Sequence, residues 1–132
     1  MSAGQIIAGR RPLSVTLVGW LYVVVGAAGF IYHGSEIRTG PPLDWDTLLV
    51  ELVEILALVS GVFLLRAQNR ARWLALAWMG FHVILSVFHS LSELLIHAVF
   101  FTLIAWALLR REAGQYFTAR EPNVQLATDK LG

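Results

Sequence analysis

The chain has 132 residues, of which 57% are hydrophobic and 14% are charged, and the apolar residues come in long runs. Such runs are typical of an integral membrane protein and exclude a soluble sheet, in which apolar and polar residues alternate. The chain has no cysteine, which excludes disulfide bonds, thiolate metal sites and thiol redox chemistry. Its formal net charge of +1 is less informative than the placement of the charges.

Four apolar spans follow one another, and each is long enough to cross a bilayer as an α-helix. About 30 Å of hydrocarbon requires roughly 17 to 25 helical residues. We therefore predict an all-α membrane domain over residues 1–111, a four-helix bundle with helices at about 13–33, 45–65, 72–89 and 91–110. Pro12 suits the start of the first helix, and the loop "GPPLDWD" ends in aspartates that suit the cap of the second.

The third and fourth spans need a break between them. Read as one helix, Trp73 to Leu109 would be ~55 Å long, far more than one crossing requires. Ser90 and Glu93 form the S-x-x-E pattern of a capping box, in which the serine caps a new helix and the glutamate reaches back to the serine amide. The sequence thus predicts a tight helical hairpin.

The basic residues predict the orientation. Only Arg38 falls on one side of the predicted membrane, and the other nine of the 10 basic residues fall on the opposite side. By the positive-inside rule, both termini are expected in the cytoplasm, and the protein in the inner (plasma) membrane. Residues 112–132 are predicted to be a polar, loosely ordered cytoplasmic tail. The nine residues are Arg10, Arg11, Arg66, Arg70, Arg72, Arg110, Arg111, Arg120 and Lys130.

Each predicted helix has one face that carries its titratable residues, because positions three and four apart lie on the same side of a helix. We expect these faces to point inward. They comprise Gly19, Tyr22, Gly26, Gly29 and His33; Glu51, Glu54, Leu58 and Gly61; Ala75, Trp78, His82, Ser86 and His89; and Glu93, His97, Phe100 and Ile104. Trp78, Phe100 and Phe101 are interpreted as core or lipid-facing bulk.

Seven titratable groups on these faces are predicted to converge on the outer half of the bundle. At ~1.5 Å per residue, Glu54 lies ~13 Å deep, and the others lie between the rim and ~11 Å. Charges in hydrocarbon cost ~2.5–3.5 kcal/mol each, so Glu51 and Glu54 should be paired, protonated or hydrated. A purely structural network of paired groups is the alternative to a binding site.

Histidine and carboxylate together suit a divalent metal ion such as zinc, iron or manganese. A haem held by His82 and His97 is less favoured, because the nearby glutamates would place charge beside an apolar macrocycle. The Glu-x-x-His pattern of di-iron bundles is missing from the sequence. The predicted metal ligands are His33, Glu51, Glu54, His82, His89, Glu93 and His97.

The same pocket also suits a small protonatable ligand, because histidine titrates near neutral pH. Proton-linked transport of a small solute, a lipid-modifying enzyme with a glutamate acid or base, and an accessory subunit of a membrane complex all stay open. The expected partners are the lipid bilayer and either a second copy or another membrane subunit, with no nucleic acid. The predicted ligand- or proton-binding residues are Glu51, Glu54, His82, Ser86 and Tyr22.

The stretches "RPLSVTLVGW" and "NRARWLALAW" resemble those of small bacterial inner-membrane proteins with four helices and no assigned activity. The resemblance implies a location and a fold. It carries over no functional residue, so it leaves undecided whether the protein is an enzyme.

Overall fold

A computed structural model describes residues 10–40 and 44–119, and these residues form five α-helices and no strand. The predicted all-α class is therefore confirmed for the described part of the chain. The helices are α1 (Leu13–Thr39), α2 (Trp45–Leu65), α3 (Asn69–Ser86), α4 (Leu91–Leu109) and α5 (Arg111–Ala119).

The predicted helix starts agree with the structure more closely than the predicted ends. Helix α1 begins directly after Pro12 but continues six residues beyond the predicted end, to Thr39. Asp44 caps α2, its Oδ1 accepting a hydrogen bond from the Thr47 amide at 2.9 Å. Helix α3 runs three residues earlier than predicted, from Asn69 to Ser86. Residues 41–43 of the predicted loop lie outside the described residues.

The turn between α2 and α3 is a Schellman motif, with Ala67 in the left-handed conformation at φ 60°. The Ala67 amide donates to the Leu64 carbonyl at 3.1 Å, and the Gln68 amide donates to the Phe63 carbonyl at 3.0 Å. These two bonds satisfy carbonyls that the end of α2 would otherwise leave free. The turn therefore reverses the chain within a few residues.

Residues 87–90 join α3 to α4, and only half of the predicted capping box forms there. The Ser90 hydroxyl accepts a hydrogen bond from the Glu93 amide at 3.2 Å and so caps α4. The Ser90 amide donates to the Ser86 carbonyl at 3.3 Å, rather than to the Glu93 side chain. The last turn of α3 thus supplies the acceptor that the glutamate was predicted to supply.

Three of the described helices are long and apolar enough to cross a membrane: Leu13–Ser35, Trp45–Leu65 and Leu91–Leu109, with mean hydropathies of 1.9, 2.5 and 1.9. Helix α3 is not among them, because Arg70 and Arg72 lower the mean hydropathy of its 18 residues. Large apolar side chains cover the outside of the molecule; Trp45 is 81% exposed and Phe88 is 80% exposed. Such a surface suits a lipid environment.

Helices α1 and α2 pack most closely, through glycines that bring the two backbones together. A Cβ atom on Gly26 would lie 2.5 Å from the Leu58 amide nitrogen, and one on Gly61 would lie 2.7 Å from the Gly19 carbonyl oxygen. Small residues allow this approach in membrane helices. Helix α3 packs on α2 and α4 packs on α3, whereas α4 and α1 touch much less. The result is an assembly that is closed on three sides and open between α1 and α4.

Residues 112–119 of the predicted loose tail belong to helix α5. Its residues Ala113, Tyr116 and Phe117 are buried, with exposures of 0, 2 and 0%. The Arg11 Nε atom donates to the Tyr116 hydroxyl at 3.3 Å, and the Arg72 guanidinium lies 5.9 Å from the Phe117 ring. The helix forms because three apolar residues at helical spacing cover the core. Residues 120–132 of the predicted tail lie outside the described residues.

The end of the molecule where α1 begins, α2 ends and α4 ends is called the basic end below, and the end with the α3–α4 turn is called the His/Glu end. Helix α5 covers the basic end, where Arg11, Arg72 and Arg110 contact aromatic side chains. The His/Glu end has no such cover among the described residues.

Candidate functional site

His82 on α3 lies at the centre of an aromatic group. Its ring centroid is 4.1 Å from that of Trp78 and 6.0 Å from that of His97 on α4, and Phe81 meets it edge-on at 5.8 Å. Trp78 and His82 meet because residues four apart share a helix face. The α3–α4 hairpin then brings His97 to the same face. His82 therefore contacts aromatic rings on both α3 and α4.

The hydrogen bonds of the two histidines determine which ring nitrogen is basic. The His82 Nδ1 atom lies 3.0 Å from the Trp78 carbonyl oxygen. A carbonyl only accepts, so Nδ1 carries the hydrogen in neutral His82 and Nε2 keeps the lone pair.

His97 has the same tautomer for a similar reason. Its Nδ1 atom lies 2.9 Å from the Glu93 carbonyl oxygen and 2.6 Å from the Ser86 Oγ atom. The Ser86 hydroxyl donates its single hydrogen to the His82 carbonyl at 2.7 Å, so it accepts from His97. Ser86, predicted as a binding residue, thus orients His97. Both histidines keep the Nε2 lone pair available.

Tyr22 and Trp78 form a wall beside the histidines. Their ring centroids lie 5.2 Å apart. The Tyr22 hydroxyl donates to the Ala75 carbonyl at 2.7 Å, and the Trp78 indole donates to the Val53 carbonyl at 2.8 Å. Both donors are therefore engaged with backbone. The structure brings Tyr22 to the predicted site, but its hydroxyl holds α1 to α3.

A cavity of about 170 Å³ lies against this wall. In the same measure a single water needs only ~10–15 Å³, so the cavity has room for a small molecule. The surface that lines the cavity is almost wholly apolar, and His82 and His97 are the two histidines among its lining residues. The lining residues are Leu21, Tyr22, Val25, Trp78, Met79, His82, His97, Phe100 and Ile104.

Two glutamates of α2 lie on the other side of His82. Glu51 is only 6% exposed, and neither of its carboxylate oxygens has a hydrogen-bond partner among the described residues. The Oε2 atom of Glu54 and the Nδ1 atom of His33 are buried and unpartnered in the same way. Buried polar groups are nearly always hydrogen-bonded, so these three groups are exceptional.

Glycines of α1 make the room that the two carboxylates occupy. A Cβ atom on Gly29 would overlap the Glu54 carboxylate, and one on Gly34 would lie 3.6 Å from the Glu51 Oε1 atom. The close packing of α1 on α2 thus places both glutamates directly against the α1 backbone. Any residue other than glycine at position 29 would force the Glu54 carboxylate to move from this position.

Glu54 connects the carboxylates to the cavity. It lies within the range of electrostatic interaction with His33, His82 and Glu51. We call these four residues the Glu54 group. His82 belongs both to this group and to the cavity wall, so a charge on the His82 ring would interact electrostatically with the Glu54 carboxylate.

The structure separates two of the predicted metal ligands from the rest. His89 and Glu93 are exposed at the α3–α4 turn, where the His89 Nδ1 atom bonds the Leu85 carbonyl at 3.0 Å. Ser90 ends α3 and begins α4 between them, so their spacing of four does not place them on one helix face. No group of three or more histidine, aspartate or glutamate side chains within residues 10–40 and 44–119 could hold a metal ion.

Several lining residues are absent from the sequence-based site. Trp78 was interpreted as bulk, yet it is a wall of the cavity and contacts His82. Its position four residues before His82 is the signal that could have identified it. Val25 and Leu21 have no such signal, because only the packing of α1 against α3 and α4 brings them to the cavity.

The described residues form an all-α protein with three helices that can cross a membrane. Glu51 is buried between the helices, and Glu54, His82 and His97 are partly buried. Comparisons with protein-family models, with curated proteins and with solved structures found no match.

Proposed function

We propose that this chain is a four-helix membrane protein of the inner (plasma) membrane, with both termini in the cytoplasm, that binds a small protonatable ligand from its outer half. Three helices long enough to cross, with α3 packed between two of them, support the bundle. The described arginines at the basic end support the orientation. The His/Glu end then faces outward.

The observation that carries the proposal is Glu51, which is only 6% exposed and whose two carboxylate oxygens have no hydrogen-bond partner within residues 10–40 and 44–119; the Oε2 atom of Glu54 has none there either. A fold gains no stability from burying such groups without partners. Unpartnered titratable groups that persist in a membrane segment are therefore candidates for binding or proton exchange.

The ligand is bound in the cavity and donates a hydrogen bond to the Nε2 atom of His82 or His97. A protonated amine suits these atoms, because an ammonium group only donates hydrogen bonds. The ammonium keeps its proton, because an alkylamine is far more basic than an imidazole. The Glu54 carboxylate, which lies within electrostatic range of His82, favours the positive charge of the ligand. Trp78 and Tyr22 contact the ligand's apolar part.

A divalent metal ion has less support than a protonatable ligand. His82 and His97 could supply two nitrogens, but the described residues contain no third group in a suitable position. Zinc, iron and manganese sites usually have three or more protein ligands.

The test uses the full chain purified in detergent, with n-butylamine as the probe and calorimetry with a pH indicator as the readout. We expect saturable binding that weakens at acid pH, where histidine protonates and no longer accepts a hydrogen bond. H82L should weaken binding by about tenfold, because leucine has no acceptor for the hydrogen bond from the charged group. H89L is the matched control, because His89 lies exposed at the turn, and it should bind as the wild type does.

Stability measurements separate a site from a structural network. E51Q should unfold at the same temperature as the wild type or higher, because the carboxylate has no partner to lose. E54Q and H82Q are compared singly and together at pH 5 and pH 8. Large losses in both single variants that are rescued in the double variant would identify a structural pair and contradict the proposal. Equal butylamine binding by H82L and wild type would also contradict it.

A further inference from the structure

The basic end of the molecule carries far more positive than negative charge. Seven arginines precede α1, follow α2, lie in the first turn of α3 or follow α4, so all of them lie at this end. Glu112 is the one acidic residue there within residues 10–40 and 44–119, and it pairs with Arg110. The described part of the chain therefore leaves most of these guanidinium charges without a negative partner.

Helix α5 brings two of these arginines to one pair of aromatic rings. The Arg11 Nε atom donates to the Tyr116 hydroxyl at 3.3 Å, and the Arg72 guanidinium lies 5.9 Å from the centroid of the Phe117 ring. The Tyr116 and Phe117 ring centroids are themselves 5.4 Å apart. Arg11 precedes α1 and Arg72 belongs to α3, so the packing of α5 is what gathers their charges.

The two arginines are held in place but not neutralised. A tyrosine hydroxyl and a phenylalanine ring carry no net charge, and neither Arg11 nor Arg72 forms an ion pair among the described residues. A guanidinium group has five N–H donors in a fixed plane, and Arg11 uses one of them for Tyr116. The ring contacts restrict side-chain rotation, so less conformational entropy is lost when the other donors bind an anion.

Tryptophan side chains indicate that these arginines lie at the level of the lipid headgroups. The Arg72 guanidinium lies 5.3 Å from the Trp73 ring, and Trp73 is 56% exposed on the outside of the molecule. Trp106 of α4 is 62% exposed and lies 5.1 Å from the Arg110 guanidinium. Tryptophan is enriched where the hydrocarbon meets the polar headgroups. The guanidinium groups are therefore expected at the depth of the lipid phosphates.

Charge favours a lipid over the terminal segments of the chain as the partner. Residues 1–9 contain no acidic residue, and residues 120–132 contain two acidic and two basic residues. Neither segment has an excess of negative side chains. In the proposed orientation the basic end meets the inner leaflet, whose anionic lipids create a negative surface potential that attracts arginine.

We propose that the basic end binds the phosphate group of one anionic phospholipid, between Arg11 and Arg72 and beside Trp73. Arginine suits this group, because its planar fork donates two parallel hydrogen bonds to phosphate oxygens. The site lies at the opposite end of the molecule from His82, so it is separate from the proposed amine site.

The experiment offers equal amounts of phosphatidylglycerol and phosphatidylcholine to the full chain in detergent, and native mass spectrometry counts the bound lipids. Both lipids contain a phosphate, but the choline head adds a positive charge that the arginines repel. We expect one phosphatidylglycerol to bind first, with a preference of about tenfold or more, because each nearby arginine contributes roughly fivefold. Inorganic phosphate in excess should not displace the lipid, since the free ion has no acyl chains to contact the apolar surface.

Arg66 provides the matched control for Arg72. R66Q and R72Q each remove one positive charge from the basic end, but Arg66 is exposed and stacks on no aromatic ring in the part of the chain that the structure describes. R72Q should lower the preference for phosphatidylglycerol about fivefold, whereas R66Q should lower it less than about twofold. R11Q tests the same site from the start of α1, in case R72Q does not fold. R38Q, at the His/Glu end, should leave the preference unchanged.

Four outcomes would overturn the site. Equal losses of preference in R66Q and R72Q would indicate a diffuse electrostatic attraction instead. Equal binding of both lipids by the wild type would exclude selection of negative charge, and displacement by inorganic phosphate would identify a free anion as the ligand. Lipid binding that appears only in the double variant E121Q/D129N would identify residues 120–132 as the occupant.

Discussion

The basic end and the His/Glu end of the molecule are packed in opposite ways. At the basic end, Val15, Leu64, Leu108 and Phe117 have no exposed surface at all. At the His/Glu end the buried Glu51 has no hydrogen-bond partner in the part of the chain that the structure describes, and the apolar Phe88 at the α3–α4 turn is exposed.

This difference in packing suggests that the basic end stabilises the fold and that the His/Glu end binds the ligand. A well-packed region supplies the free energy of folding, since close contacts and buried apolar area are lost on unfolding. A region with unpartnered carboxylates and an open cavity costs free energy that the packed region offsets. Substitutions at the basic end should therefore change stability, whereas substitutions at the other end should change binding.

The largest expected effect is that of F117A at the basic end. Removing this fully buried ring should lower the free energy of unfolding by ~3–5 kcal/mol, because it leaves a cavity under α5. Denaturation of the purified protein in mixed detergent micelles measures the change. F88A removes the same ring from an 80% exposed position at the other end and should cost far less. Similar losses in the free energy of unfolding for F117A and F88A would contradict the difference in packing between the two ends.

A smaller effect is expected for G26A, which lies between the basic end and the His/Glu end. The added methyl group would lie 2.5 Å from the Leu58 amide nitrogen and force α1 away from α2, at a cost of ~1–3 kcal/mol. Butylamine binding should weaken too, because the same helix pair positions Glu54 against Gly29. The control is G80A, whose Cβ would lie 3.6 Å from the Phe101 ring. G80A should unfold at the wild-type temperature or above it, since alanine favours helix; a loss as large as that of G26A would count against close backbone packing.

Y22F should cost ~0.5–1.5 kcal/mol, the usual contribution of one hydrogen bond, here from Tyr22 to the Ala75 carbonyl. The ring remains as a wall of the cavity, so butylamine binding is expected to be unchanged. Thermal unfolding and calorimetry on the same preparation test both parts. Y32F alters an exposed tyrosine and is the control for stability. Loss of binding in Y22F at unchanged stability would instead assign the hydroxyl to the ligand.

The smallest expected effect is at Asp44, outside the membrane-spanning segments. Hydrogen bonds from the side chain and the backbone amide of Thr47 hold the pKa of the Asp44 carboxyl below its ordinary value. A lowered pKa in the folded protein means that the cap stabilises α2 above the unfolded pKa of ~3.9 and is lost as the pH falls through the folded value.

D44A should therefore lower the unfolding temperature slightly at pH 6, and its difference from the wild type should shrink at more acid pH. D44N retains a capping oxygen without a charge, so it should remain close to the wild type at pH 6. A D44A difference that grows on acidification would contradict the role of the ionised carboxylate.

The sequence predicted part of the inward helix faces, because the spacing of residues along a helix depends only on local geometry; Phe100, also predicted inward, is 47% exposed. Gly19, Tyr22 and Gly26 of α1 are buried as predicted, and so are Ser86 and Ile104. The prediction failed at the α3–α4 turn, where His89 and Glu93 extend beyond the packed part of the helices and are exposed. The periodicity that placed them on a common face stops where Ser90 ends one helix and caps the next.

By itself, the sequence determined the helical class, the helix starts at Pro12, Asp44 and Ser90, and the apolar character of the surface, because these depend on local hydrogen bonds and hydropathy. Tertiary structure alone decided which titratable groups meet. The approach of α1 to α2 places Glu54 on Gly29, and the α3–α4 hairpin places His97 beside His82. It also decided that residues 111–119 close the basic end and that α1 packs more closely on α2 than on α4, because the packing of one helix against another depends on the shapes of both surfaces.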